Sequence, residues 1–231
     1  MTLNQYFQLS LKERTYERKG DRMILLVGSQ KGGPGKSTVA TNLCVWLTKR
    51  ARDVILVDAD RQQTANNWAT DREEDSSLKK INTIQKYGNI KATLLDLSKR
   101  YDCVVVDVAG HDSQEMRTAL LCADIVLIPT QCSQPDLDTL HDMKRIIDDA
   151  KDLNESLKVY TVFSRTPTNP SIKELEDALS YMEELHLNPL KTHIANRKIY
   201  RDAISCGRGV LELNNKKASV EIESLAKEIC L

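Results

Sequence analysis

The stretch Gln30-Lys31-Gly32-Gly33-Pro34-Gly35-Lys36-Ser37-Thr38 constrains this chain more than any other. It follows the apolar run Met23-Ile24-Leu25-Leu26-Val27 and precedes a helical apolar pattern from Val39 to Leu47. Strand, glycine-rich loop and helix start, in that order, make a phosphate-binding loop. Backbone N–H groups converge on an anion and the helix dipole adds positive potential. Gly32, Gly33 and Gly35 let the backbone curl tightly and approach a phosphate. Pro34 has no N–H, so the cradle amides must come from Gly33, Gly35, Lys36, Ser37 and Thr38. In such a loop Lys36 reaches the β- and γ-phosphates of a nucleotide, and the Ser37 hydroxyl ligates Mg²⁺.

Two further runs end in acids. In Asp53-Val-Ile-Leu-Val-Asp58-Ala-Asp60, an apolar strand ends in two carboxylates. Ligands of open α/β sheets bind at that carboxyl edge. Tyr101-Asp-Cys-Val-Val-Val-Asp107 reads as a fully buried strand ending in one acid, placed to hold Mg²⁺ through a water. Gly110 follows at D-x-x-G spacing, where a backbone N–H can sense a γ-phosphate, so residues 110–117 read as a switch loop. His111 lies inside that loop, and nothing in the pattern requires it as a base.

The loop departs from the general G-x-x-x-x-G-K-[ST] pattern. Gln30 stands where the first glycine would be, and Lys31 adds a second lysine. This K-G-G-x-G-K-[ST] form resembles the deviant Walker A box of the ParA/MinD family of ATPases. Asp58-Ala-Asp60-Arg61-Gln62 is similar to the family's D-x-D-P-Q segment, with Arg61 in place of proline. The resemblance implies ATP and Mg²⁺ as ligands. It also implies that Asp60 orients the attacking water, that Asp58 supports the Mg²⁺ shell, and that Lys31 reaches the partner subunit's nucleotide in an ATP-dependent homodimer. Where the family has an asparagine contact to adenine, this chain has Ser164-Arg165, which weakens the case for adenine specificity.

The 231 residues suit one large α/β domain, here 23–231, preceded by a polar extension at 1–22 with a short helix around Tyr6 to Leu11. Apolar and turn patterns alternate as in βαβ units, so the expected fold is a mostly parallel twisted sheet with helices on both faces. Strands are expected at 23–28, 53–58, 81–85, 102–107, 124–128, 158–163 and 191–195. Helices are expected at 36–50, 62–74, 90–100, 113–122, 136–151, 171–186, 197–206 and 216–229. No apolar run is long enough to cross a membrane, and the six cysteines show no metal-ligand spacing. Both features fit a cytoplasmic protein with reduced thiols.

Net charge is zero, yet charge is patterned. Residues 136–155 are acidic. Residues 191–217 carry Lys191, Arg197, Lys198, Arg201, Arg208, Lys216 and Lys217 against two acids. Arg197 and Arg201, four apart, share a helix face. The segment from Arg197 to Val210 resembles the C-terminal region of small ParA proteins, where basic residues contact non-specific DNA. The implied activity is a slow, partner-stimulated ATPase on the nucleoid. It would act with a ParB-like centromere-binding protein to move or space plasmid or chromosomal cargo. The alternatives are a MinD-like membrane-positioning ATPase and, less favoured, a small-molecule phosphotransferase or ligase on the same fold. Residues 216–231 balance acids and bases and contain no aromatic, a poor match to anionic lipid.

Overall fold

A computed structural model describes residues 22–168 and 173–229. The expected extension, Arg22 apart, and its short helix lie outside the described residues. Seven strands form one parallel sheet: β1 (Met23–Val27), β2 (Val54–Ala59), β3 (Asn82–Gln85), β4 (Cys103–Val108), β5 (Ile125–Thr130), β6 (Lys158–Thr166) and β7 (Pro189–Ala195). Their spatial order is β3-β2-β4-β1-β5-β6-β7. Eight α-helices follow in turn among the described residues: α1 (Lys36–Lys49), α2 (Thr64–Glu73), α3 (Lys91–Leu97), α4 (Gln114–Leu120), α5 (Gln134–Lys151), α6 (Lys173–Glu184), α7 (Lys198–Ile204) and α8 (Lys216–Glu228). A 3₁₀ turn at Val210–Glu212, which the sequence pattern does not suggest, joins the last two.

Helices cover both faces, so the central strands are apolar runs rather than alternating ones. Every residue of β2, β4 and β5 is buried, while edge strand β3 is half open. Within β1 the pleat sends Ile24 and Leu26 to one core and Leu25 and Val27 to the other. The first core packs under α3, α4, α5 and α6 through Leu94, Met116, Met143 and Met182. The second packs under α1, α2, α7 and α8 through Leu43, Trp68, Tyr200 and Leu225.

The sheet is regular except where β6 meets β7. Register shifts there between Ser164 and Thr166, and Arg165 adopts φ 54°. This bulge lies at the carboxyl edge, the edge onto which the phosphate-loop sequence also opens.

Residues 207–212 cross back over α1 and α2 and are stitched down. The buried Arg72 guanidinium donates to both Glu212 carboxylate oxygens at 2.7 and 2.8 Å, to Gly207 O at 2.9 Å and to Lys79 O at 2.8 Å. Trp68 Nε1 donates to Arg208 O at 3.0 Å, and Val210 N donates to Asn42 Oδ1 at 2.8 Å. A buried charge is tolerated when paired and fully hydrogen-bonded, as this guanidinium is.

Candidate functional site

Four strand ends deliver loops to the carboxyl edge. After β1, the loop turns with Gly33 at φ 101° and Gly35 at φ 85°, a region closed to ordinary side chains. Gly35 caps α1, whose first turn has no acidic residue and no side-chain cap. The amides at its start therefore remain available to an anion. Lys36 is buried, with Nζ 3.1 Å from Lys31 O and 3.4 Å from Ser29 Oγ. Burial lowers its pKa, and the charges of Asp107 and Asp60 oppose that shift. Gly32, Ser37 and Thr38 complete the loop and the first turn beside it.

Asp107, at the end of β4, is buried, and no donor meets hydrogen-bond geometry at either of its oxygens. Ser37 stands close enough to favour the ionised form, but burial dominates and pushes the carboxyl up to about 7. A buried carboxylate without donors, beside a hydroxyl and an ammonium, is a fit place for a hard divalent cation. Asp58 is engaged differently. Its Oδ1 accepts from Asp60 N at 3.0 Å and its Oδ2 from Asn66 N at 2.7 Å, so it holds the turn into α2. Burial raises its pKa, and those two backbone bonds oppose the rise. Asp60 accepts from Gln62 N at 2.9 Å. Arg61, in the place of a proline, lays its guanidinium over the Tyr87 ring at 5.2 Å, and the left-handed residue of the turn is Gln63.

Gly110 packs directly on the phosphate loop. A Cβ there would collide with the Lys31 carbonyl and the Gly32 nitrogen, so only glycine fits. His111 is exposed beside it. Lys31 has a different partner from Lys36. Its Nζ lies 3.0 Å from Asp136 Oδ2 at the start of α5, and Ser133 Oγ donates to the same oxygen at 2.6 Å. Lys31 is 40% exposed and Asp136 4%. Sequence reasoning misses Asp136, because it counts among the solvated acids of its helix. Its only local signal is a Ser133-x-x-Asp136 helix start.

On the other side of β1, a cleft of about 190 Å³ adjoins Gly35 and Thr38 and is walled by Arg165, Asn196, Arg197 and Arg201. Ser164 does not offer its hydroxyl there; that hydroxyl donates to Pro34 O and to Thr130 O. The basic segment is less free than its charges suggest. Arg197 pairs with Glu221 at 2.7 Å, Lys198 with Asp202 at 3.1 Å, and Arg208 with Asp75. Arg197 is the extended residue that caps α7 and so does not share a helix face with Arg201 as the i, i+4 spacing suggests, although both residues border the cleft. Lys216 and Lys217 are exposed at the start of α8.

The protonation of Asp107 gives a testable sign. The folded state holds that proton more tightly than the unfolded chain does. Stability of the ligand-free protein therefore falls as pH rises from about 4 through about 7. A move from 3.8 to about 7, in which the opposing Lys36 charge is already included, sets a ceiling of roughly 4 kcal/mol at about 1.4 kcal/mol per unit. Asp107→Asn is expected to flatten this slope and raise Tm above neutral pH. Melts of both proteins in magnesium-free buffer would check it; parallel pH profiles would contradict the burial argument.

This chain belongs to the CobQ/CobB/MinD/ParA nucleotide-binding family, whose sequence profile matches residues 25–209. Among its relatives, it is 28% identical to the maintenance of carboxysome distribution protein A of Halothiobacillus neapolitanus. That match spans 89% of this chain and 95% of the relative. It is 24% identical to the sporulation initiation inhibitor protein Soj of Bacillus subtilis, over 89% and 97% of the two chains. The solved structure of apo McdA from Cyanthece superposes with a TM-score of 0.75 at 18% identity, covering 90% of this chain and 99% of that one. The Pyrococcus furiosus cell division ATPase MinD superposes at 0.68 and 20% identity, covering 90% and 98%. The parallel sheet between two helical layers is thus the MinD/ParA fold.

Proposed function

We propose that this chain is a small ParA-type partition ATPase with one nucleotide-binding domain at 23–231. ATP and Mg²⁺ bind at the carboxyl edge, the ATP state dimerises on non-specific DNA, and hydrolysis stimulated by a ParB-like partner releases it. The observation that carries this reading is Lys31. It is a second lysine on the phosphate loop, partly exposed and held by Asp136 rather than by the groups that hold Lys36. One lysine serves the cradle, so the other is spare for a phosphate bound by a second copy. The carboxysome-distribution relative supports a positioning role.

In this reading Gly32, Gly33, Gly35, Lys36, Ser37 and Thr38 hold the phosphates, and Gly110 reads the γ-phosphate through its backbone. Ser37 and Asp107 hold Mg²⁺, which neutralises charge on the β- and γ-phosphates when bound. Asp60, fixed by its turn, orients the attacking water. Asp58 supports the metal site indirectly, by holding that turn.

DNA contact falls to the exposed cations, and Lys216 and Lys217 are the informative pair. They occupy the first turn of α8, which contains no acid. Cations at a helix N-terminus oppose the helix dipole, so stability does not explain them. Lys216→Glu with Lys217→Glu is expected to abolish ATP-dependent retention on DNA and to leave ATP affinity unchanged. Stability should hold or rise slightly, because acids suit that position. The log–log salt slope of binding should fall by roughly 0.9 for each phosphate that the variant no longer neutralises. Co-sedimentation with plasmid DNA across a salt series, with and without ATP, tests both the reading and the pair. Retention that ignores ATP, or a double variant that binds like wild type, would overturn it.

A further inference from the structure

The order of strands sets the direction in which a nucleotide must lie. Asp58 and Asp107 end β2 and β4, on one side of β1; β5, β6 and β7 lie on the other. A phosphate chain whose γ end meets those acids sends its nucleoside toward β6 and β7. The cleft of about 190 Å³ lies there, against Gly35 and Thr38 at the start of α1.

Three polar groups around that cleft are committed elsewhere, while a second guanidinium, Arg165, stands exposed on the opposite, β6 side. The Ser164 hydroxyl serves the Pro34 and Thr130 carbonyls. Arg197 is neutralised by Glu221, and the Tyr200 hydroxyl donates to the same carboxylate at 2.8 Å. These bonds pin α7 and fix the wall it presents. Arg201 is the exception on that wall: it is exposed, and among the described residues no carboxylate pairs with it. A planar guanidinium stacks on aromatic faces and stays charged at every working pH.

We propose that Arg201 binds the nucleoside end of the nucleotide, stacking its guanidinium on the base. This rests on the phosphate-loop reading and adds a residue to it. The segment that resembles a DNA-contacting element thus places one of its exposed arginines at the rim of the cleft. α7 becomes a wall of the nucleotide cleft as well as the carrier of the exposed Lys198.

Calorimetric titration of wild type, Arg201→Ala and Arg201→Lys with ATP, ADP and inorganic tripolyphosphate separates the contributions. Arg201→Ala should lose about tenfold in affinity for ATP and ADP alike, equivalent to about 1.4 kcal/mol. Tripolyphosphate affinity should not change. Arg201→Lys should recover less than half of the loss, because an ammonium keeps the charge without the plane. Three results would overturn the proposal: unchanged ATP affinity in Arg201→Ala, an equal loss for tripolyphosphate, or full recovery by lysine. Arg201 is exposed, so folding is not at stake, and melting temperatures confirm this. Failure of the phosphate-loop reading looks different: no variant, and not wild type, would bind tripolyphosphate.

Discussion

Lys36→Ala is expected to abolish tight nucleotide binding. Lys36 is the ammonium buried within the cradle, and Asp107 and Asp60 already act on its charge. A hydrogen bond to a charged group contributes about 1.5–3 kcal/mol net, and the desolvated site strengthens the Coulomb part. Losses of roughly a hundredfold or more in ATP affinity follow. The variant also removes a cation that eases ionisation of Asp107, so that carboxyl should titrate higher still. Calorimetry with ATP and Mg²⁺ measures the first effect. Affinity within a few-fold of wild type would end the assignment of residues 30–38 as a phosphate cradle.

Lys31→Ala should separate binding from turnover. The loop amides and Lys36 remain, so ATP should bind with near-normal affinity. ATP-dependent dimerisation and hydrolysis should both fall, since a cation given in trans to a phosphoryl transition state contributes about 10³–10⁵ in rate. Stability should fall measurably, because Asp136 is buried and loses its counter-charge. The exposed lysine side and the Ser133 hydroxyl, which Asp136 keeps as a donor, limit that loss, and melts in parallel separate it from the loss of dimerisation. Sedimentation velocity and phosphate release, each with ATP, are the measurements. Unchanged values in both would show that Lys31 serves only its own Asp136.

The elements were legible because each is written in one continuous stretch. Buried parallel strands are unbroken Val/Ile/Leu runs, and Asp58 and Asp107 fall near the carboxyl ends of β2 and β4. The glycine turn between β1 and α1 was legible for the same reason. What the sequence hid lies between residues far apart in it. Asp136 reads as one more acid on an exposed helix, yet it is buried against Lys31 across the fold. Arg197 and Arg208 read as free cations, but Glu221 and Asp75 neutralise them. Ser164 stands where the family has its adenine contact, and only the fold shows that it ties β6 to Pro34. No periodicity reports such pairings, because they arise only when strand order brings distant segments together.

Val210 donates to Asn42 across 168 positions of chain, and Gly209 presses on Val45 of the same early helix. Synthesis runs at about 5–20 residues per second, so roughly 10–30 s separate the appearance of α1 from the arrival of its cover. During that interval the strand that will lie between β1 and β2 also has to be made, since β4 occupies that gap. The helix that opens the phosphate cradle is thus made early and sheltered late. The growing chain therefore carries an uncovered apolar helix beside an unfinished nucleotide site for most of its translation.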